Sequence, residues 1–595
     1  MFDVSKQMTG FAVGVLTGLL LLLAPALGGD ISSAVLLPTT NVAVGLIVHI
    51  LVSAGLGVSI SMVAPESQQQ AATCVNGVII GLLWWIAGPL TVGALISGTR
   101  IGWSAANAGQ VFEPLVASIL FGGVAGLFYF WASRLVSDGA QSSSEKTAQP
   151  DLTKVLVLGG GFAGVATAEG LERLFPGSKG VSITLVSPSN YLLFTPMLAE
   201  VAGSSLEAQH VAAPIRASCP RTSFIRGTVD HIDLATQSVS VHSPVDRTLR
   251  YDHLVLAMGS VPNYRDLPGM EEHSFTLKSL NDATRLRNHV LGLLERADTE
   301  PNPIERKKML TFVVAGGGFA GTETIAELFD LVHSTHRYFP NIVHSELRFI
   351  LVHSRDRILP EIGPELADYA LQKLRRRGIE FRLETRVGGA TGDAMLLANN
   401  ESIPTRTLVW TAGNQTNPAL ATLPCEHGRG GALVVEPTLQ VSGHENVWAA
   451  GDNAQIPDPD TDGGYYPPTA QHALREGKAI AKNISAVLGG SSAKPFRFKT
   501  LGILVALGHR TAVAEIKGLR FSGLIAWLLW RGIYLSKLPG LEKKVRVFLD
   551  WTLDLLFPRD IVVTSETLPA FPAATPSAEA VSSPTNQKAI HDVGS

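Results

Sequence analysis

Two glycine-rich turns are the places in this chain where residue type and spacing could do chemistry. The first is KVLVLGGGFAG, in which the strand residues Val155 to Leu158 lead into Gly159, Gly161 and Gly164. Gly159 allows a tight turn, Gly161 lets the backbone approach a pyrophosphate, and Gly164 lets the next helix pack close to the strand. That helix would offer unpaired N–H groups and a positive dipole end to the phosphates. One such turn also occurs as plain packing. A second copy, TFVVAGGGFAGTETIAEL with Gly316, Gly318 and Gly321, stands a domain length further on. Two dinucleotide sites in one chain imply a hydride donor bound beside a flavin.

The other candidates sit at strand ends. A dinucleotide fold usually closes its second strand with an acid that binds ribose hydroxyls. After the first turn that strand is Val181–Val186, and the position holds Ser187, which can bond a ribose but brings no carboxylate. After the second turn it is Leu347–Val352, followed by His353-Ser354-Arg355. An acid here would favour NADH. The neutral or basic set leaves Arg355 and Arg357 able to meet a 2′-phosphate, unless the loop is only solvated, so NADH and NADPH both stay open. Further strands end on Gly259 (DHLVLAMG), Gly413 (TLVWTAG) and Asp452 (ENVWAAGD). Asp452 suits a flavin's ribityl hydroxyls or phosphate, or a simple helix N-cap. Glu323, two residues past Gly321, suits a contact near the nicotinamide ribose or carboxamide, or a carboxylate meeting the helix dipole.

These residues need alternating strands and helices to hold them. The expected plan is a flavin domain in two parts, 154–280 and 426–490, interrupted by a nucleotide domain at 281–425. A helix opening at Ala470 after YPPT runs to about Leu488.

A length of 595 residues leaves room for more than these domains. Net charge −3 gives no broad basic field, so no nucleic-acid partner is expected. Cys74, Cys219 and Cys425 are widely spaced, which argues against a disulfide framework, a thiolate metal site or a Cys-x-x-Cys pair. No metal is expected. Mean hydropathy is +0.22, and the excess lies in the first quarter. Four apolar segments stand near Phe11–Leu27, Val42–Val63, Thr73–Ile96 and Phe112–Val136. A span needs about 20 apolar residues, so the first is marginal. A signal peptide is its competing reading, with Lys6 before it and Ala24-Pro25-Ala26 after it.

Residues 1–136 therefore read as four transmembrane helices. The pairs Gly14/Gly18 and Gly77/Gly81 mark a helical hairpin used twice, with the small-residue spacing that lets helices approach. His49 and Glu113 are the ionisable residues of the region, each also readable as structural. Lys6, Arg134, Lys146 and Lys154 outnumber Arg100, which places both ends on the cytoplasmic side of an inner, cytoplasmic membrane. Residues 137–153 read as a flexible linker.

At the other end, Leu519–Leu535 carries Trp527, Trp530 and Tyr534. Leu541–Phe557 then sets Leu541, Val545, Phe548, Leu549, Leu555 and Leu556 against Lys543, Lys544 and Arg546. The region 491–564 reads as an interfacial anchor on a lipid bilayer, with a buried core helix as the alternative. The tail 565–595 is expected to be disordered.

The two GGGFAG turns, SPSNYLLFTPML, Glu323, WTAG, WAAGD and PPTAQ together resemble the type II NADH dehydrogenases, over roughly Lys154 to Arg559. The resemblance implies an α/β fold with two Rossmann-like dinucleotide-binding domains, one for FAD and one for NAD(P). The all-α transmembrane region before them is not part of the usual family pattern, and amphipathic membrane-associating helices follow them. It implies a non-proton-pumping NADH:quinone oxidoreductase in which NADH reduces FAD and leaves, and a membrane quinone then takes the electrons. Gly159, Gly161, Gly164, Ser187, Thr195, Pro196, Gly259, Asp452 and Ala470 would hold FAD. Gly316, Gly318, Gly321, Glu323, His353 and Gly413 would hold the nicotinamide nucleotide. Glu323 and Gln471 would be catalytic, and Gln471 with Arg475 would meet the quinone. The family's Ala-Gln-x-Ala-x-Gln signature departs here at Arg475, and Leu501 stands where many relatives carry lysine. His472 is adjacent and titratable but points elsewhere on a helix. A homodimer is compatible with the resemblance. A flavin reductase with a protein acceptor and a redox-sensing membrane flavoprotein are the alternatives.

Overall fold

The computed structural model describes residues 4–22, 42–63, 70–92, 112–141, 152–178, 180–461 and 463–563. The chain begins with helices α1 (Val4–Leu21), α2 (Val42–Val63), α3 (Gln70–Ala87) and α4 (Phe112–Gln141). Two hairpins, α1 with α2 and α3 with α4, close through equivalent contacts. A Cβ on Gly14 would lie 2.2 Å from the Ser53 carbonyl oxygen, and one on Gly77 would lie 2.0 Å from that of Gly122. Only a missing side chain lets the backbones come so near. His49 is buried in the first hairpin, and its Nε2 pairs with the Gly18 carbonyl oxygen at 3.0 Å. This is the structural role weighed for it. The Glu113 side chain lies outside the described residues, as do 23–41, 93–111, the linker from 142 to 151 and the tail from 564. Within α2 and α4, Val44–Val63 and Pro114–Ser133 are long and apolar enough to cross a membrane, while Lys6–Leu21 and Thr73–Ala87 are shorter apolar helices. At Gly88 and Pro89 the α3 backbone passes into a π-turn, as expected where proline removes a helix donor.

After the helices come β1 (Thr153–Leu158), β2 (Val181–Ser187), β3 (Ser223–Arg226) and β4 (His253–Leu256), all parallel in the order β4-β1-β2-β3. Helix α5 (Phe162–Leu174) follows β1 directly. Strands buried on both faces need continuous apolar runs, and Val155–Leu158 is fully buried. Helix α6 (Leu280–Thr299) leads to a second parallel sheet, β5 (Thr311–Ala315), β6 (Arg348–Val352), β7 (Ile379–Arg382) and β8 (Thr407–Trp410), ordered β7-β6-β5-β8. Helix α7 (Phe319–Thr335) follows β5, and α8 (Pro364–Arg377) precedes β7. The chain then returns: β9 (Val447–Ala449) pairs with β4 and completes the first sheet, with α9 (Ala470–Leu488) packed on α5. The crossing is a pair of antiparallel segments, Ser260–Pro262 with Asn414–Thr416. Met270 packs with the second sheet and Leu420 with the first.

The last unit is a meander of β10 (Gly502–Ala506), β11 (Ala512–Ile516) and β12 (Leu519–Ser522), then α10 (Gly523–Lys537) and α11 (Leu541–Leu556). Trp530 and Trp551 are buried from the two helices, with ring centroids 6.0 Å apart. A buried set of charges fastens this unit to both dinucleotide domains. Arg559 Nη1 forms an ion pair with the Glu327 carboxylate at 2.9 Å and donates to the Gly203 carbonyl oxygen at 2.7 Å, while its Nε reaches Asp554 at 3.3 Å. Trp551 Nε1 donates to Glu200 at 3.1 Å. Burial, the largest effect, drives the Glu200 and Glu327 pKa values up, and Arg559 opposes it at both. Removing the arginine would strand buried carboxylates. Arg559→Ala is therefore expected to lose about 3–5 kcal/mol of stability, measured as a shift in the denaturant midpoint of the detergent-solubilised protein. An unchanged midpoint would refute the clamp.

Candidate active site

Both glycine turns are built alike. Gly159 and Gly316 hold φ of +113° and +119°, a conformation that favours glycine, and each donates its N–H across the sheet, to Val186 at 2.8 Å and Val352 at 2.9 Å. A Cβ on Gly164 would stand 1.9 Å from the Gly159 carbonyl oxygen, and one on Gly321 would stand 1.8 Å from that of Gly316. Gly161, by contrast, faces open space, with no atom within 4 Å of where its Cβ would be. Gly161 and Gly318 are the N-caps of α5 and α7, and neither helix has a side-chain cap. Their first N–H groups are left for a ligand, as an anion site requires.

The two turns open into one cavity of about 2700 Å³. A pocket for one drug-sized ligand holds about 300–1,000 Å³, so this space takes several. Gly161, Thr195, Pro196, Gly259, Asp452 and Ala470 line it from the first domain, and Gly318, Gly321, Glu323 and Gly413 from the second. Gln471, Arg475 and Leu501 line a third side. Gly159, Gly164 and Gly316 stand off the wall and shape the turns. Ser187 is 3% exposed beneath Gly160 and also stands off it. His353 lies beneath Gly317, whose N–H donates to its Nδ1 at 3.1 Å. An aromatic wall runs from Phe162 to Phe194 (5.8 Å) and on to Tyr534 (6.0 Å), joining the first turn to α10.

Polar groups meet at defined points on this surface. Ser260 donates its hydroxyl to Asp452, and Lys278 Nζ donates to Ser260 Oγ at 3.1 Å. Burial lowers the Lys278 pKa, and the Asp452 charge opposes that. Asp452 thus sits in a hydrogen-bonded group rather than acting as a helix cap. Behind it, buried Glu476 accepts the Gly451 N–H at 2.7 Å, and burial pushes its pKa up to about 7. Lys278, Ser260 and Glu476 had no signal in the sequence, because no motif or local spacing marks them, and Tyr534 was read only as part of an aromatic-rich anchor.

Glu323 does not serve the N-terminus of its own helix. It accepts the Ala506 N–H of β10 at 3.1 Å, and burial pushes its carboxyl up to about 8. Near neutral pH it holds a proton beside the cavity. Gln471 Nε2 reaches the Gly502 carbonyl oxygen at 3.4 Å. Arg475 donates to the Gln471 carbonyl oxygen at 2.7 Å and lies over the Phe498 ring at 4.1 Å. His472 is buried, bonded through Nδ1 to Thr469 Oγ1 at 2.7 Å, and burial with Arg475 holds its pKa at about 4. The ring is therefore neutral at pH 7.

Comparison with known proteins agrees with this geometry. The pyridine nucleotide-disulphide oxidoreductase family matches residues 153–477, and the NDH2 C-terminal domain matches 501–560. A probable NADH dehydrogenase of Dictyostelium discoideum is 32% identical over 418 residues, covering 69% of this chain and 90% of that one. A type II NADH:quinone oxidoreductase of Mycobacterium tuberculosis is 30% identical over 433 residues, covering 70% and 91%. A structure of NDH2 from Plasmodium falciparum in complex with NADH shares the fold at a TM-score of 0.63 and 19% identity, over 69% of this chain and 99% of that one. With both family matches falling on the units that build the cavity, the chain belongs to the type II NADH dehydrogenase family of pyridine nucleotide oxidoreductases.

Proposed function

We propose that this enzyme is a membrane-bound, non-proton-pumping NAD(P)H:quinone oxidoreductase that works with one FAD. The observation that carries this reading is the single cavity joining two open glycine turns to the Gln471 and Arg475 side. The vacant approach to Gly161 and the uncapped α5 fit a pyrophosphate, and Asp452 with Ser260 fits a polyhydroxyl chain. FAD, when bound, would supply two-electron acceptance from the nicotinamide and delivery to the quinone. Gly318, Gly321 and Gly413 would seat the reduced nucleotide against it. Glu323 would hold a proton for the quinone oxygen, replenished after each turnover. Gln471 and Arg475 would orient that oxygen, with Arg475 supplying the positive charge that favours a developing anion.

The quinone is membrane-borne in this reading, and the surface supports it. On α10 and α11 the faces opposite Trp530 and Trp551 carry exposed Leu524, Leu528, Phe548, Leu549 and Leu556, the last 71% exposed. These exposed apolar side chains, on helices that also carry Lys543, Lys544 and Arg546, suit a bilayer surface. The helices α1–α4 would add a four-helix transmembrane anchor in an inner membrane, with the catalytic domains on the cytoplasmic side. The expected flavin and nucleotide domains and the 491–564 anchor enter the proposal with it.

Two experiments test the reading. Adding NADH anaerobically to the purified protein is expected to bleach the flavin band, and a short-chain quinone to restore it. A protein that stays colourless after reconstitution with FAD would refute it. Glu323 gives the pH dependence. Its raised pKa means the folded state favours the protonated form, so stability falls as pH rises from about 4.5 towards 8. Quinone reduction should likewise fall as pH passes about 8. In Glu323→Gln the fall in quinone reduction near pH 8 should vanish and the stability slope should shrink, the remainder belonging to Glu200, Glu327 and Glu476, and the quinone half-reaction should slow by roughly a hundredfold while bleaching by NADH persists. An unchanged pH profile would remove Glu323 from the proton's route.

A further inference from the structure

We infer that the amino-terminal bundle is part of the quinone's way in: Lys6 of α1 and Asn76 of α3, with α10 and the start of α11, form the mouth through which a long-tailed quinone passes from lipid to Gln471. The inference deepens the proposed function and rests on it. The family matches cover residues 153–477 and 501–560, so neither says what the bundle does. The cavity that joins the two glycine turns does not stop at those units. Lys6 and Asn76 line it, as do Gln471, Tyr534 and Lys537 of α10, and Lys543 of α11. Helix α3 also packs against α11. A bundle serving as an anchor alone would need only a tether, whereas these residues are cavity wall.

The bundle meets the cavity with one end. Lys6 stands in the first turn of α1 and Asn76 in the second turn of α3. Asn76 Nδ2 donates at 3.0 Å to the carbonyl oxygen of Val63, the last residue of α2, so three helix ends are gathered there. Helices that cross a bilayer end at the level of the headgroups, where lysines keep their charge in water. A membrane quinone is divided in the same way, with a polar head that reaches this level and a tail that stays in hydrocarbon. Lys6, Lys537 and Lys543 mark the polar level on the cavity wall. Beyond it Val75, Ile79, Leu82 and Leu83 are exposed along α3, at the i, i+4, i+7 and i+8 spacing of one helix face. The tail lies along that face while the head is at Gln471.

The test measures kcat/KM for two quinones with the same head, one bearing a long isoprenoid tail and one bearing none. It uses the full-length protein loaded with FAD, in phosphatidylcholine vesicles. Lys6→Trp and Asn76→Trp each place an indole in the mouth, from two different helices. Each is expected to lower kcat/KM for the tailed quinone by roughly tenfold, the scale of a steric misfit in an apolar passage. The tail-less quinone, which needs less room, should keep its kcat/KM, and NADH should bleach the flavin as before. Both quinones are measured on one preparation, so any inactive fraction cancels from their ratio. A ratio of tailed to tail-less kcat/KM that falls in either variant supports the inference. If it falls in neither, whether through no loss or through equal losses, the inference is overturned and the bundle is an anchor. Failure of the functional reading gives a different result: the unsubstituted protein would then reduce neither quinone.

Discussion

Backbone crowding at two glycines governs this molecule. At Gly164 and Gly321 a helix lies so close to the turn that starts it that one methyl group would overlap a carbonyl oxygen, at 1.9 and 1.8 Å. Overpacking of this kind displaces the backbone rather than a side chain, and in a closed core it costs about 1–3 kcal/mol or more. Here the larger loss would be aim, because each helix points its uncapped N–H groups into the cavity only while it stays against its strand.

The Gln471 side of the cavity depends on a third unit. Glu323 bonds Ala506 and Gln471 reaches Gly502, so β10 is a shared wall for helices α7 and α9. The buried charges around Arg559 hold that wall in place. The same helices that bury Trp530 and Trp551 inward present leucine and phenylalanine outward. Buried tryptophans make α10 and α11 core helices, and the exposed apolar residues beside them are what the proposed anchor would use.

What was legible in the sequence is what local spacing encodes. The glycine turns, the strands ending on Gly259, Gly413 and Asp452, and the helix opening at Ala470 all stand where their patterns put them. Groups that meet only through tertiary approach were not legible. Ser260 reaches Asp452 from far along the chain, and Lys278 joins them from the start of α6. Glu323 was found as a residue, but its environment was not, since Ala506 and Tyr534 come from a unit with its own pattern. The pairing between Ser260–Pro262 and Asn414–Thr416 was not legible for a related reason: it leaves no periodic mark in so few residues.

The discontinuity of the first sheet bears on how the chain is made. Strand β4 ends at Leu256, but its outer neighbour β9 begins only at Val447, after the whole second sheet. As the polypeptide leaves the ribosome, that parallel edge waits unpaired while the inserted domain is synthesised and closes on itself. The early helices have long since emerged by then, so the half-built flavin domain hangs between a completed amino-terminal bundle and a growing end. Any pause before β9 has cleared the ribosome would lengthen that exposure.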